Sequence, residues 1–191
     1  MLTGFGFNPV FWSIRTNYST YSNIIFKDDP YFGYWRLSEP SGTTANDSSR
    51  AGNPGTYTGG YTLQQAGAIQ NNSNYAAAFN GSTGYVSTAK SYTNTSTLTI
   101  ELWFKTTSAS VGMIAFSDNA GGHAPDIYLD AAGKVVFHHW QSVSYYITSG
   151  SAYNNGQWHY VAATVGAAGS FLYVDGVQVG SDAITSNWTG P

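Results

Sequence analysis

From Thr97 to Phe104 the chain alternates strictly, with Leu98, Ile100, Leu102 and Phe104 on one side and Thr99, Glu101 and Trp103 on the other. Side chains on a strand point alternately to its two faces, so this pattern reads as a half-buried β-strand. Shorter runs rich in β-branched and aromatic residues follow at Val111–Ser117, Asp126–Leu129, Lys134–Trp140, Val143–Thr148, Gln157–Val165 and Ser170–Val174. The residues between them suit turns: Asp130-Ala131-Ala132-Gly133, Asn154-Asn155-Gly156 and Asp175-Gly176. Asp175-Gly176 lies between Leu172-Tyr173-Val174 and Val177-Gln178-Val179, which predicts a hairpin there. No segment sustains a helical period. Closely spaced strands with short polar turns predict an all-β chain, an antiparallel sandwich or barrel.

Composition narrows what such a fold does. Charged residues are 9% of the 191, against an ordinary ~25%. Seven Lys and Arg give no basic footprint for nucleic acid or an anionic membrane. Polarity comes instead from Ser, Thr, Asn, Gln and Tyr, a surface suited to neutral hydrogen bonding outside a cell. Cysteine is absent, which removes disulfides and thiolate metal sites. No apolar run is long enough to insert in a membrane as a helix. The start, Met1-Leu2-Thr3-Gly4-Phe5-Gly6-Phe7, has neither the basic region nor the cleavage site of a secretion signal. Residues 1–29 carry isolated aromatics without alternation and read as an N-terminal extended arm. Asp28-Asp29-Pro30 separates this arm from the domain at 30–191.

Seven phrases then occur in order. They are Tyr34-Trp35-Arg36-Leu37-Ser38-Glu39-Pro40-Ser41-Gly42; Asn46-Asp47-Ser48-Ser49 with Gly55-Thr56-Tyr57; Ala78-Phe79-Asn80-Gly81-Ser82; Tyr85-Val86; Thr99 to Lys105; Gln157-Trp158-His159-Tyr160-Val161-Ala162-Ala163-Thr164; and Leu172-Tyr173-Val174-Asp175-Gly176. In this order the chain resembles the laminin-G-like branch of the concanavalin A-like lectin/glucanase superfamily. The resemblance implies an antiparallel jelly-roll β-sandwich of two sheets. The opening phrases also resemble modules of phage tail and virion proteins, implying a virion or an extracellular, cell-surface location. Family members usually close with a strand carrying an Asp-Glu pair; the chain ends at Ser186-Asn187-Trp188-Thr189-Gly190-Pro191 without one. The expectation is a sandwich lacking its usual closing strand, or one whose slot another segment fills.

Glycoside hydrolysis needs two carboxyl groups flanking one bond, ~5–5.5 Å apart for retention or ~6.5–9.5 Å for inversion. The chain has two glutamates, Glu39 and Glu101, far apart and neither beside another acid. Catalysis by a carboxylate pair is therefore not expected, and Glu101 reads as a strand residue on the polar face. His138 and His139 are neighbours on a strand and face opposite ways, so they cannot chelate one metal as a pair. The family resemblance implies calcium as the metal, with Asp47 in one loop and Asp118, Asn119 and Asp126 around another as the oxygen ligands; the alternative is that these residues only shape turns. For carbohydrate, the stretch Phe137 to Tyr146 mixes aromatic faces with amides and hydroxyls. His138 and Trp140 share a face there, and Tyr146 joins them across a hairpin, an exposed platform for a sugar. The alternative is that Phe137 and Tyr145 enter the core and the rest merely coat a polar sheet.

Two functions remain open. One is a non-catalytic, lectin-like recognition or attachment module whose partner is a glycan or host-surface polysaccharide. The other is structural decoration of a capsid, tail or filament, whose partners are neighbouring virion or surface subunits. A glucanase, the third function the fold supports, lacks its carboxylates. Phe5, Phe7, Phe11, Trp12, Ile14, Ile24, Ile25 and Phe26 make the arm apolar. The expectation is that it packs in β-conformation on its own sandwich or adds to a neighbouring copy, forming a homo-oligomer.

Overall fold

The computed structural model describes residues 33–49, 51–69, 75–90, 97–117 and 123–185. The N-terminal arm and the end of the chain, where a closing strand was sought, lie outside them. The described residues fall into two compact units, dividing between Lys90 and Ser91.

The first unit is built from short strands: β1 (Thr44–Ala45), β2 (Gly55–Thr58), β3 (Tyr61–Ala66), β4 (Tyr75–Phe79) and β5 (Tyr85–Thr88). Strands β1, β2 and β5 form one antiparallel sheet, and β3 pairs with β4 in another. Strands β1 and β3 carry no period-two signal, because Thr44–Ala45 is two residues long and Leu63-Gln64-Gln65 breaks the alternation. Register slips at that point, where Gln64 adopts a left-handed backbone with φ 58°.

Tyr57 centres this unit. It is 3% exposed, its ring stacks on Tyr61 at 4.9 Å, and its hydroxyl donates to Glu39 Oε2 at 2.8 Å. Glu39 is itself buried and takes the Asn46 N–H on its other oxygen at 2.9 Å. The family-like phrase Phe79-Asn80-Gly81-Ser82 is a turn, in which Asn80 Oδ1 accepts from the N–H groups of Ser82, Thr83 and Gly84. That turn comes so close to Gly59 that a Cβ there would stand 1.8 Å from the Thr83 carbonyl oxygen; φ of 71° also requires glycine.

Burial and the adjoining Glu39 carboxylate push the Tyr57 phenol well above its ordinary value. The neutral form is thus favoured in the fold. Its contribution is complete below pH ~10, where unfolded tyrosine ionises, and is lost as pH rises beyond that. Chemical denaturation at pH 8 and pH 11 should show Tyr57→Phe destabilising at the lower pH, with the gap to wild type shrinking at the higher. An unchanged gap would mean that folding does not shift the ionisation of Tyr57.

The second unit contains β6 (Leu98–Lys105), β7 (Val111–Ser117), β8 (His123–Leu129), β9 (Lys134–Gln141), β10 (Val143–Ala152), β11 (Trp158–Gly166), β12 (Gly169–Val174) and β13 (Val177–Asp182). They form two four-stranded antiparallel sheets, in the orders β10-β9-β8-β7 and β13-β12-β11-β6. The predicted strands all form, several extended by a few residues, and Asp175-Gly176 makes the β12–β13 hairpin. Between the sheets lies the core that period two demands: Ile127 and Leu129 from β8 and Val135 and Phe137 from β9 on one side, and Leu98, Ile100 and Phe104 from β6 with Val161, Ala163, Leu172 and Val174 from β11 and β12 on the other. Glu101 stands on the other face of β6, as expected, and accepts from the Tyr160 hydroxyl.

Candidate functional site on the outer face of β8–β10

Because one face of the β7–β10 sheet fills the core, its even-numbered residues on β8, β9 and β10 turn outward. The β8–β9 turn is closed by Asp130, whose Oδ1 accepts from the N–H groups of Ala132 and Lys134. Counting back from that turn sets Asp126 opposite His138. The β9–β10 turn pivots on Ser142, at φ 64°, and sets Tyr146 opposite His138 and Ser144 opposite Trp140. Directly paired residues point to the same side of a sheet. Asp126, His138 and Tyr146 are therefore one row across three strands, with Trp140 and Ser144 in the row beside it.

His138 is held from three directions. Its ring stacks on Tyr146 with centroids 4.6 Å apart and planes 14° from parallel. Nδ1 meets Asp126 Oδ1 at 2.9 Å, and Nε2 meets Ser144 Oγ at 3.2 Å. With Nδ1–H donating to the carboxylate, Nε2 accepts from the serine hydroxyl. Tyr146 covers the histidine yet remains 57% exposed itself, so the pair presents a fixed aromatic surface to solvent. Two of the three expected ligand-binding residues, His138 and Tyr146, are thus in contact, and Trp140 shares their face from the adjoining row. Phe137 is fully buried in the core, as the alternative in which it fills the sandwich expects, while alternate residues serve the other face.

The order Ser144–His138–Asp126 is that of a nucleophilic triad. A triad also needs hydrogen-bond donors aimed at the oxyanion that forms. Here the three groups rise from adjacent strands of one antiparallel ladder, whose backbone N–H groups are directed along the sheet. The array orients and polarises the imidazole.

The expected calcium ligands separate. Asp47 belongs to the first unit, where its Oδ1 accepts from the Tyr34 and Ser49 N–H groups and its Oδ2 from that of Asn53. Burial raises the carboxyl pKa, but these bonds outweigh it and hold Asp47 below the usual carboxylate range. Asp126 is committed to His138, and Asp118 and Asn119 lie outside the described residues. Among the described residues no three His, Asp or Glu side chains gather closely enough to share a metal ion.

Two further histidines pair with carboxylates. His139, fully buried on the core side, meets Asp182 at 2.9 Å, while its Nδ1 has no partner among the described residues. His159 lies between Asp175 Oδ2 at 2.7 Å and Asn155 Oδ1 at 3.0 Å. It therefore ties the Asn154–Gly156 loop to the Asp175-Gly176 turn. Sequence reasoning missed Asp126 and Ser144 as partners of His138. The signal was available in the turns, since residues that close a hairpin fix every pairing outward from it.

Among curated proteins, none matches the chain. Of solved structures, an S-layer domain-containing protein from Clostridium thermocellum ATCC 27405 (residues 221–444) is similar at 21% identity and a TM-score of 0.46, covering 82% of this chain and 74% of that one. The family model for the concanavalin A-like lectin/glucanases superfamily, laminin G type 3, matches residues 80–191. That span takes in β5 and both sheets of the second unit, so the chain belongs to the laminin-G-like family of the concanavalin A-like lectin/glucanase superfamily.

Proposed function

We propose that the protein is a non-catalytic recognition module that binds a glycan through the outer face of β8–β10 and works in a cell-surface or virion assembly. The stacked His138–Tyr146 pair carries this reading. A sugar ring offers an apolar C–H face and a rim of hydroxyls, and it is matched by an exposed aromatic face beside fixed donors and acceptors. Tyr146 supplies the face; the Ser144 hydroxyl and the Asp126 carboxylate, both held by the imidazole, supply the polar groups. Family membership and a surface poor in charge support the extracellular setting. The non-catalytic reading is supported by Glu101, whose carboxylate accepts from Tyr160 and which stands beside no other acid in the sequence.

The test is an array of microbial and plant polysaccharides probed with the full chain and with Tyr146→Ala. The variant removes an exposed ring, so its unfolding midpoint should stay within ~0.5 kcal/mol of wild type. Its affinity for whatever glycan the wild type binds should fall about tenfold or more. Equal binding by the variant would remove this face from recognition. Release of new reducing ends from a bound polysaccharide, abolished in Glu101→Gln, would overturn the non-catalytic reading.

A further inference from the structure

The outer face does not stop at β8. Strand β7 continues it, and the residues that β7 sets beside the platform are small: Gly112 pairs with Tyr128, and Ala115 with Asp126. Both small residues are exposed. Their size lowers the floor next to two larger side chains, and an open hollow of about 430 Å³ lies there, bordered by Ser110, Gly112, Tyr128, Asp130 and Ala131. Tyr128 is the link. It stands two residues from Asp126 on the same face, with Ile127 and Leu129 turned into the core on either side. Burial, then the nearby Asp126, Tyr146 and Asp130, push the Tyr128 phenol above its ordinary value, which agrees with a position between the platform and the hollow.

Resting on the recognition reading above, we infer that the Gly112–Tyr128–Asp130 hollow is a second sugar subsite, making the ligand an uncharged oligosaccharide that runs across the strands from Trp140 and Tyr146 to β7. Strands lie ~4.8 Å apart, so the strip from β10 to β7 covers about 14 Å, room for several linked rings and too long for one. The hollow has the size of a small-molecule pocket. It offers one aromatic side chain and hydroxyls at Ser110 and Tyr128. Asp130 spends Oδ1 on its own turn; among the described residues Oδ2 has no hydrogen-bond partner and is an acceptor for a sugar hydroxyl. Among the described residues, the carboxylates of Asp126 and Asp130 border the strip, against the one ammonium of Lys134, whose backbone N–H donates to Asp130. This balance favours neutral rings over uronic or sialic ones.

Gly112 provides a clean test. A Cβ built there meets nothing within 4 Å, and its backbone is outside the left-handed region, so a large side chain is tolerated by the fold and enters the hollow. Binding would be measured by calorimetry for the wild type, Gly112→Trp and Tyr146→Ala, using neutral cello- and manno-oligosaccharides from monomer to tetramer and an oligogalacturonate of matched length. Wild type should gain about tenfold or more in affinity between monomer and trimer. Gly112→Trp should lose that gain, keep the monomer affinity and unfold at the wild-type temperature. A trimer bound equally well by Gly112→Trp, while Tyr146→Ala loses it, would overturn the subsite and leave the platform standing. Tighter binding of the galacturonate would overturn the neutral ligand class. Binding of none of these sugars by the wild type would overturn the recognition reading and the subsite together.

Discussion

Phe137→Ala should destabilise the second unit by ~3–5 kcal/mol, the largest effect expected of any single substitution considered. Phe137 is fully buried and sits in register between Ile127 on β8 and Ile147 on β10, at the centre of the sheet's inner face. Its ring also stacks on His139 at 5.0 Å. Truncation removes the ring's burial and leaves a cavity that three neighbouring strands, fixed by their ladders, cannot close. The loss is a large part of the ~5–15 kcal/mol that holds a domain together. Urea unfolding should show a much lower midpoint with an unchanged slope, and Phe137→Leu, which refills most of the space, should cost ~1.5 kcal/mol or less. A midpoint shift in Phe137→Ala below ~1 kcal/mol would mean the inner face is loosely packed.

The same substitution separates stability from recognition. Phe137 and His138 are neighbours in sequence but serve opposite faces, one holding the sandwich and the other holding Tyr146. This division is what period two encodes, and it is why the second unit was so legible. Thr97–Phe104 identifies its own buried face, and Asp175-Gly176 its own turn. The platform was legible for the same reason, since His138 and Trp140 alternate together. What sequence alone did not supply was register. Whether Tyr146 lands on His138 or two residues away depends on Ser142 adopting a positive φ, a conformation uncommon for any residue other than glycine. The Asp126–His138 bond likewise depends on Asp130 closing its turn. The first unit was harder to read because its strands are short and are held by buried polar bonds, which leave no periodic trace. Glu39 looks like an isolated surface acid in sequence, and only the Tyr57 hydroxyl shows why it is buried.

Asp47, which reads in sequence as a calcium ligand, also organises backbone. Its carboxylate gathers N–H groups from three separate places, Tyr34, Ser49 and Asn53, at 2.8–2.9 Å. Its own backbone bridges to Trp35, and the Trp35 indole donates to the Asn53 carbonyl at 2.8 Å. Asp47→Ala leaves three donors without their acceptor. Bonds to a charged group contribute ~1.5–3 kcal/mol each in protein interiors. Here the loop is part-exposed and water replaces some of them, so the expected total is ~2–4 kcal/mol. Asp47→Asn keeps one oxygen for two of the donors and should cost about half as much. The pH dependence follows from the lowered carboxyl pKa. Asp47 contributes fully above the unfolded value of ~3.9 and loses its contribution as pH falls through the lower folded value. Wild type and Asp47→Asn should therefore converge in stability on acidification from pH 6 towards pH 2, measured by denaturant unfolding with tryptophan fluorescence. If this carboxylate's work were to hold calcium, a chelator would destabilise the wild type and spare the variant; with the backbone as its partner, chelator should change neither.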